Sequence, residues 1–185
     1  MSQEPGGHAE ATLSRVAEAE IGEPLRQQAQ ALLQSSFPGY PSRSYFKLPP
    51  HFRYLAMKSG VLVAQMGVEH RVIRVGSNVV RTFGVVDLCV SKSERSGGLA
   101  GRMLAEVTEL ARACGMDFII LFADDDRIYT RDGWARAGNL CSWLRIDEHT
   151  TLGLASREDT GALMVKATGQ QAWPEGDVDL LGHLF

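Results

Sequence analysis

The sequence has few of the patterns that identify metal proteins, secreted proteins or membrane proteins. Its three cysteines, Cys89, Cys114 and Cys141, are far apart and odd in number, so they indicate neither a disulfide framework nor a CxxC metal site. The five histidines include no HExxH spacing, and we expect no metal. No apolar run approaches the roughly 20 residues that span a membrane. The N-terminus lacks the basic and apolar regions of a secretory signal.

The chain also has no large excess of positive or negative charge. The formal net charge is −3 in 185 residues, of which 44% are hydrophobic. No basic stripe is present, so a nucleic acid is not expected as a partner. We expect a soluble, cytoplasmic protein that binds neither nucleic acid nor membrane. Residues 1–11, rich in Gly, Glu and Pro, are predicted to be a disordered tail, and residues 12–185 a single domain.

The rest of the chain alternates between strand and helix patterns. A first strand is predicted in "LSRVAEAEI" and a helix in "PLRQQAQALLQSSF". Apolar runs from Arg53 to Val90, punctuated by "SG" and "GSN", indicate an antiparallel meander whose last strand is Val85–Val90. A helix ending near Gly115 and the buried strand "MDFIILFA" come next, and then a short helix in "DDDRIYTRDGW" and strands in "CSWLRI" and "ALMVKA". The order predicts a mixed α/β domain in which Val85–Ala123 forms a βαβ unit with parallel strands.

Three glycines lie where the helix of this unit begins, in "VSKSERSGGLAGRMLAEV". The first N–H groups of a helix point outward and bind anions, and glycine lets a phosphate approach the backbone. Three basic side chains lie nearby: Lys92, Arg95 and Arg102. The stretch therefore indicates a phosphate-binding loop, although a tight turn without a ligand has the same composition.

Two common phosphate-binding motifs can be excluded for this loop. The chain contains no GK[ST], which a P-loop requires, and "SGGLAG" does not have the GxGxxG spacing of a dinucleotide fold. What remains is the pattern Arg/Gln-x-x-Gly-x-Gly/Ala, present here from Arg95 to Ala100.

With its flanking strand and helix, the buried strand and "RIYTRDGW", this element resembles the GCN5-related N-acetyltransferase (GNAT) superfamily over about half of the chain. The resemblance implies a GNAT-like domain, in which a meander precedes a βαβ unit that binds acetyl-CoA or another acyl-CoA as co-substrate. It also implies that the backbone of Leu88, Cys89 and Val90 pairs with the pantetheine arm. The loop would hold the pyrophosphate through eight residues: Arg95, Ser96, Gly97, Gly98, Leu99, Ala100, Gly101 and Arg102.

A finer resemblance concerns one branch of this superfamily. The stretches "VIRVGSNVVRTFGVVDLCV" and "WPEGDVDLL" are similar to the branch of aminoglycoside 2′-N-acetyltransferases and nodulation N-acyltransferases. The nodulation enzymes use a fatty acyl donor, so the acyl length stays open. Asp177 matches an acceptor-binding acid of the aminoglycoside enzymes, although it could equally be a turn residue.

Two further residues are candidates for catalysis. Acylation of an amine by a thioester needs a base for the amine proton and an acid for the departing thiolate. Asp87 lies in the apolar strand "VVDLCV", where an acid is costly unless it is functional or paired with an arginine such as Arg81. The resemblance matches Asp87 to a remote base. It matches Tyr129 to the general acid, with a packed core tyrosine as the alternative.

The remaining candidates concern the acceptor. Asp124, followed by Asp125 and Asp126 after the buried strand, could attract a cationic acceptor or be a helix cap with two solvated acids. Cys89 is interpreted as a core residue rather than a nucleophile. An aromatic group could wall an acceptor pocket or pack beneath a loop: Tyr40, Tyr45, Phe46 and Phe52.

The sequence therefore predicts an acyl-CoA-dependent N-acyltransferase that acts on the primary amine of a small molecule by direct transfer. The alternatives are a non-catalytic acyl-CoA-binding or regulatory domain and a transferase for protein N-termini or lysines. A homodimer is left open.

Overall fold

The computed structural model describes residues 10–185, so the predicted tail lies outside the described residues except for its last two positions. Two α-helices are present, α1 (Glu23–Ser36) and α2 (Leu99–Ala113). The strands are β1 (Thr12–Ala17), β2 (Phe52–Lys58), β3 (Val61–Val75), β4 (Asn78–Val90), β5 (Phe118–Phe122), β6 (Ala135–Arg136), β7 (Cys141–Asp147), β8 (Thr150–Glu158), β9 (Leu163–Ala167) and β10 (Val178–His183). Short 3₁₀ turns span Glu18–Glu20, Lys92–Glu94 and Thr130–Asp132.

The strands join in one mixed sheet of ten strands. Its main path runs β6-β9-β5-β4-β3-β10-β7-β8, and β2 pairs with the first half of β3 while β1 pairs with β2. Strands β2, β3 and β4 form the predicted antiparallel meander. Strands β4 and β5 are parallel and joined through α2, which confirms the predicted βαβ unit. The α/β fold class is thus as predicted.

The two helices cover opposite faces of the sheet. Because successive strand residues point to opposite faces, Tyr54 belongs to the core under α2 and its neighbour Leu55 to the core under α1. Helix α2 buries Met103, Leu104 and Val107 completely or nearly so. Burial of these apolar side chains fixes the helix, and with it the Gly-rich loop, against β4 and β5.

Two parts of the chain differ from the sequence prediction. The short helix predicted in "DDDRIYTRDGW" is present only as a single 3₁₀ turn, Thr130–Asp132. Side chains of the stretch pair with arginines, Asp125 with Arg127 and Asp126 with Arg136. Strands β8 and β10 were not predicted, and β10 contributes the end of the chain to the site described below.

Within the described residues, no helix combines the length and apolarity needed to cross a membrane. In the same part of the chain, no three His, Cys, Asp or Glu side chains are grouped as metal ligands.

Candidate functional site

The Gly-rich loop leaves the first N–H groups of α2 free. Gly98 precedes the helix with φ +78°, a left-handed conformation that favours glycine, and no side chain caps the helix start. The first hydrogen bond of the helix runs from the N–H of Arg102 to the carbonyl of Gly98, at 3.0 Å. The N–H groups of residues 98–101 therefore point away from the helix and can bind an anion.

The predicted loop residues lie together around this helix start. Arg95 is exposed, and within residues 10–185 its guanidinium forms no ion pair and only a 3.4 Å hydrogen bond to the carbonyl of Val90. Ser96 has φ +69° and, with Gly97, forms the turn before the helix. Leu99 is buried in the core, so it contributes only backbone. Arg102 contacts Glu10 and the carbonyl of Ala11, which holds the N-terminal segment against the loop.

Strands β4 and β5 separate beside this loop. Their parallel pairing covers only Thr82–Gly84 with Phe118–Ile120, whereas β4 continues to Val90. In this last part of β4, Cys89 and Val90 pair with β3 on one side. Among the described residues the opposite edge has no strand partner, so its backbone groups are available, as the pantetheine prediction requires. Burial raises the pKa of Cys89 to about 12, which agrees with its interpretation as a core residue.

A cleft of about 320 Å³ lies where the two strands separate. The loop after α1 forms one wall, the separating strands form the floor, and the end of the chain forms the other wall. Most of the lining side chains are apolar. The polar lining residues are Tyr40, Lys47, Glu69, Asp87, Tyr129 and His183.

Asp87 lies at a bulge of β4 that faces this cleft. Its φ is +54°, and the register between β3 and β4 shifts at this point. The Tyr40 hydroxyl donates a 2.7 Å hydrogen bond to Oδ2 of Asp87, and Gln65 Nε2 donates at 3.2 Å to the Asp87 carbonyl. Burial raises the pKa of Asp87, and the hydrogen bond from Tyr40 offsets part of this rise. The alternative prediction, an ion pair between Asp87 and Arg81, is wrong. The guanidinium of Arg81 donates to the carbonyl of Cys114, and its backbone N–H donates to Asp117.

The bulge is held from beneath by a buried arginine. Arg53 is 1% exposed and donates to Glu18 at 2.6 Å, to Gln65 Oε1 at 2.9 Å and to the Ser44 carbonyl at 2.6 Å. Since Gln65 in turn donates to the carbonyl of Asp87, a continuous chain of hydrogen bonds joins the N-terminal 3₁₀ turn to the bulge. This chain fixes the position of the Asp87 backbone.

Tyr129 lines the same cleft from the loop after β5. Its ring packs against Trp134 at 5.7 Å between centroids, and its hydroxyl makes no hydrogen bond within the part of the chain that the structure describes. Burial, and next the charge of Asp125, raise the pKa of Tyr129 to about 12. The phenol is therefore protonated at neutral pH and can donate to a group in the cleft.

A second polar cluster lies at the far wall. Glu69 forms an ion pair with Arg71. Its Oε1 also forms a hydrogen bond with Nε2 of His183, at 3.1 Å. Burial favours the protonated form of Glu69, but the hydrogen bond with His183 and the charge of Arg71 outweigh it, so the pKa of Glu69 is lowered. The Arg71 guanidinium also stacks on the ring of Phe185, 4.1 Å from its centre.

The structure brings Asp87 and Tyr129 together but not the two predicted acceptor acids. Asp124 is exposed after β5 and does not line the cleft. Asp177 pairs with Arg157 and lies in a separate surface depression beside Trp173. The predicted contact of Asp177 with the acceptor therefore has no geometric support at this cleft.

Sequence reasoning missed Lys47, Glu69 and His183 as lining residues. They come from the loop before β2, from β3 and from β10, and no motif marks them. Of the four aromatic residues that the sequence offered as the wall of an acceptor pocket, Tyr40 and Phe46 line the cleft. Tyr45 instead contacts His149, and Phe52 packs on Phe83.

Comparison with known proteins gives a family match and several similar structures. Residues 12–137 match the family model described as "Acetyltransferase (GNAT) domain". A search of the curated proteins finds no match. The GNAT family N-acetyltransferase YhbS from Escherichia coli, solved in complex with CoA, is 16% identical with a TM-score of 0.64, over 97% of this chain and 93% of that chain.

Two further solved structures are similar over most of their length. Escherichia coli ElaA is 13% identical with a TM-score of 0.58, over 84% of this chain and 99% of that chain. An acyl-CoA N-acyltransferase from Pseudomonas aeruginosa is 13% identical with a TM-score of 0.56, over 85% of this chain and 99% of that chain. At such identities the similarity concerns the fold. The aminoglycoside and nodulation branch is not among these matches.

Proposed function

The chain belongs to the GNAT family of acetyltransferases, and from that premise we propose that it transfers an acetyl group from acetyl-CoA directly to the primary amine of a small molecule. The observation that carries the proposal is that a carboxylate and a protonated phenol, Asp87 and Tyr129, line one cleft at the point where β4 and β5 separate. Those are the two groups that amine acylation by a thioester needs. The proposal takes further support from YhbS, a protein of the same fold solved with CoA.

Coenzyme A fits the residues at the start of α2. The free N–H groups of residues 98–101 and the unpaired guanidinium of Arg95 suit a pyrophosphate. The open edge of β4 suits the pantetheine amides, which need backbone partners. When bound, acetyl-CoA supplies the thioester carbonyl that the amine attacks.

Asp87 serves as the base in this proposal. A primary amine is protonated at neutral pH and becomes a nucleophile only when the proton leaves. Burial strengthens Asp87 as a base by raising its pKa, and Oδ1 has no hydrogen-bond partner within the described residues. The Tyr40 hydroxyl holds the other carboxylate oxygen and so fixes the direction in which Oδ1 points.

Tyr129 serves as the acid. Its hydroxyl carries a proton at neutral pH and has no hydrogen-bond partner among the side chains and backbone groups that the structure describes. Donation of this proton to the sulfur that leaves the carbonyl would stabilise the departing thiolate. Direct transfer is favoured over an acyl-cysteine, because Cys89 is buried with a raised pKa.

Thiol release tests the proposal. Purified protein with acetyl-CoA and a panel of small primary amines should release free thiol faster than without amine. Asp87→Asn and Tyr129→Phe should slow release while calorimetry finds unchanged CoA affinity. Asp177→Asn, outside the cleft, is the matched control and should keep full activity. CoA binding without amine-dependent thiol release would instead identify a binding domain and reject the proposal.

A further inference from the structure

Three charged side chains line the cleft, Lys47, Glu69 and Asp87, and one of them, Glu69, is paired with an opposite charge. Glu69 is engaged by Arg71 and His183, and Asp87 uses Oδ2 to accept from Tyr40. An acceptor that enters the cleft therefore meets few charged groups that still lack a partner. Those groups determine which acceptor charges the cleft can bind.

Lys47 is the first such group. Within residues 10–185 its ammonium forms no ion pair, and its hydrogen bond is to the carbonyl of Leu184 at 3.3 Å. The ammonium also lies 5.9 Å from the centre of the Phe46 ring. Burial lowers the pKa of Lys47, and the negative charges of Glu69 and Asp87 offset part of this effect. A partly buried ammonium without an anion is unfavourable, so an anionic ligand at this position would be stabilised.

Asp87 is the second group, because its Oδ1 lacks a hydrogen-bond partner in the described part of the chain. The cleft thus contains one ammonium without an anionic partner, that of Lys47, and one carboxylate oxygen that can accept a hydrogen bond, Oδ1 of Asp87. A ligand that carries both an ammonium and a carboxylate matches this pair. A simple amine or a polyamine matches only Asp87, and its positive charge would be repelled by Lys47.

The walls between these groups are apolar and aromatic. Four phenylalanines line the cleft: Phe37, Phe46, Phe122 and Phe185. Such walls stabilise an apolar side chain and leave a polar one without hydrogen-bond partners.

We propose that the acceptor is a free α-amino acid with a hydrophobic side chain, whose carboxylate binds Lys47 and whose amine faces Asp87. This inference rests on the proposed acetyltransferase activity. It assigns Lys47 as the residue that distinguishes amino acids from the corresponding amines.

Matched pairs of acceptors test the assignment. Phenylalanine is compared with phenethylamine, and leucine with 3-methylbutylamine, since each pair differs only in the carboxylate. For the wild type we expect kcat/KM to be about tenfold or more higher for each amino acid, because an ion pair in a desolvated cleft is lost with the amine. Lys47→Met should remove this preference by raising KM for the amino acids while leaving the amines unchanged or improved. Lys47→Arg should retain part of it.

Control measurements separate the possible failures. Lys166→Met, on β9 and outside the cleft lining, should keep the wild-type preference. Thermal unfolding should show that Lys47→Met is folded. Turnover of amines with no preference for the amino acids, or an equal effect of Lys47→Met on both members of a pair, would overturn this inference alone. Absence of turnover with every acceptor would overturn the proposed function and this inference together.

Discussion

The hydroxyl of Tyr40 and the carboxylate of Asp87 form a 2.7 Å hydrogen bond between residues 47 positions apart in the sequence. The bond joins the loop after α1 to the bulge of β4. Burial, and next the charge of Asp87, raise the pKa of Tyr40 far above its usual range, so Tyr40 is the donor throughout the pH range in which the protein would work. The hydrogen bond stabilises the ionised form of Asp87 and lowers its pKa relative to a buried carboxyl without a partner.

Tyr40→Phe should therefore shift the acidic limb of the kcat/KM profile to higher pH. The base must be ionised, and loss of the hydrogen bond raises the pKa of Asp87, so activity should fall near neutral pH and recover in alkaline buffer. A charge-assisted hydrogen bond corresponds to a shift of about one pH unit. Tyr45→Phe, on the same loop but in contact with His149, is the control and should leave the limb in place. An unshifted limb in Tyr40→Phe would separate Asp87 from catalysis.

Asp87→Asn should make the reaction depend on amine that is already deprotonated in solution. Its kcat/KM should rise about tenfold per pH unit below the pKa of the acceptor amine, whereas the wild-type value should be nearly flat between its acidic limb and that pKa. The deficit of the variant is then largest at low pH. Parallel profiles for the variant and the wild type would assign Asp87 a structural role only.

Tyr129→Phe should lower turnover about tenfold or more and leave the melting temperature nearly unchanged. The ring still packs against Trp134, and the lost hydroxyl has no hydrogen-bond partner in the described residues. General-acid assistance contributes typically 10²–10⁴-fold, and less for a thiolate, which leaves well without it. Stopped-flow or steady-state thiol release measures the turnover, and a thermal scan measures the melting temperature. Full activity in the Phe variant would rule out the acid role.

Arg95→Ala should weaken CoA binding about tenfold without loss of stability. The guanidinium is exposed and makes only a weak hydrogen bond in the described structure, so the fold does not depend on it. A charge-assisted contact to a phosphate contributes on the order of 1.5–3 kcal/mol and weakens with salt. Arg112→Ala, at the opposite end of α2, is the control. Calorimetry at two salt concentrations should find a smaller salt dependence for Arg95→Ala; equal affinities for that variant and the wild type would exclude Arg95 from the CoA site.

Gly84→Ala should destabilise the protein through Phe185. The ring of Phe185 lies directly on Gly84, and a methyl group at residue 84 would overlap three of its carbon atoms. Overpacking of this kind costs about 1–3 kcal/mol. In a Phe185→Ala background most of this cost should disappear, so chemical denaturation of the four proteins in the cycle should show strong non-additivity. Additive effects would mean that the ring does not occupy this position.

The elements with a strong apolar period were predictable from the sequence. The meander, α1 and α2 have such periods, β5 is a continuous apolar run, and the glycines at residues 97 and 98 mark the start of α2. Strand β8 has side chains exposed on both faces apart from Ala155, so no alternation indicates it. The stretch from Asp124 to Trp134 forms only one turn, because its acidic side chains contact arginines and Gly133 adopts φ +79°.

The site was predictable only where its residues belong to a local motif. Asp87 lies in the first strand of the βαβ unit and Tyr129 shortly after its second strand, and the structure brings both to one cleft, although their catalytic roles stay predictions. Lys47 and His183 could not be located from the sequence, because their positions depend on contacts over long separations. The contact between His183 and Glu69, for example, spans 114 positions. Local periodicity contains no information about such contacts.

The two sides of the cleft come from separate stretches of the chain, with β4 and β5 on one side and the loop at residues 37–48 and the end of β10 on the other. The loop that carries Tyr40, Phe46 and Lys47 has no regular secondary structure, so strand pairing does not constrain its sequence, although Tyr40 itself packs in the core beside α1. Exchange of this loop with Tyr40 retained should change the choice of acceptor while Asp87 keeps its hydrogen bond and the thioester end keeps its geometry. The fold thereby makes acceptor specificity a modular property, one that evolution or an engineer can alter in about a dozen residues.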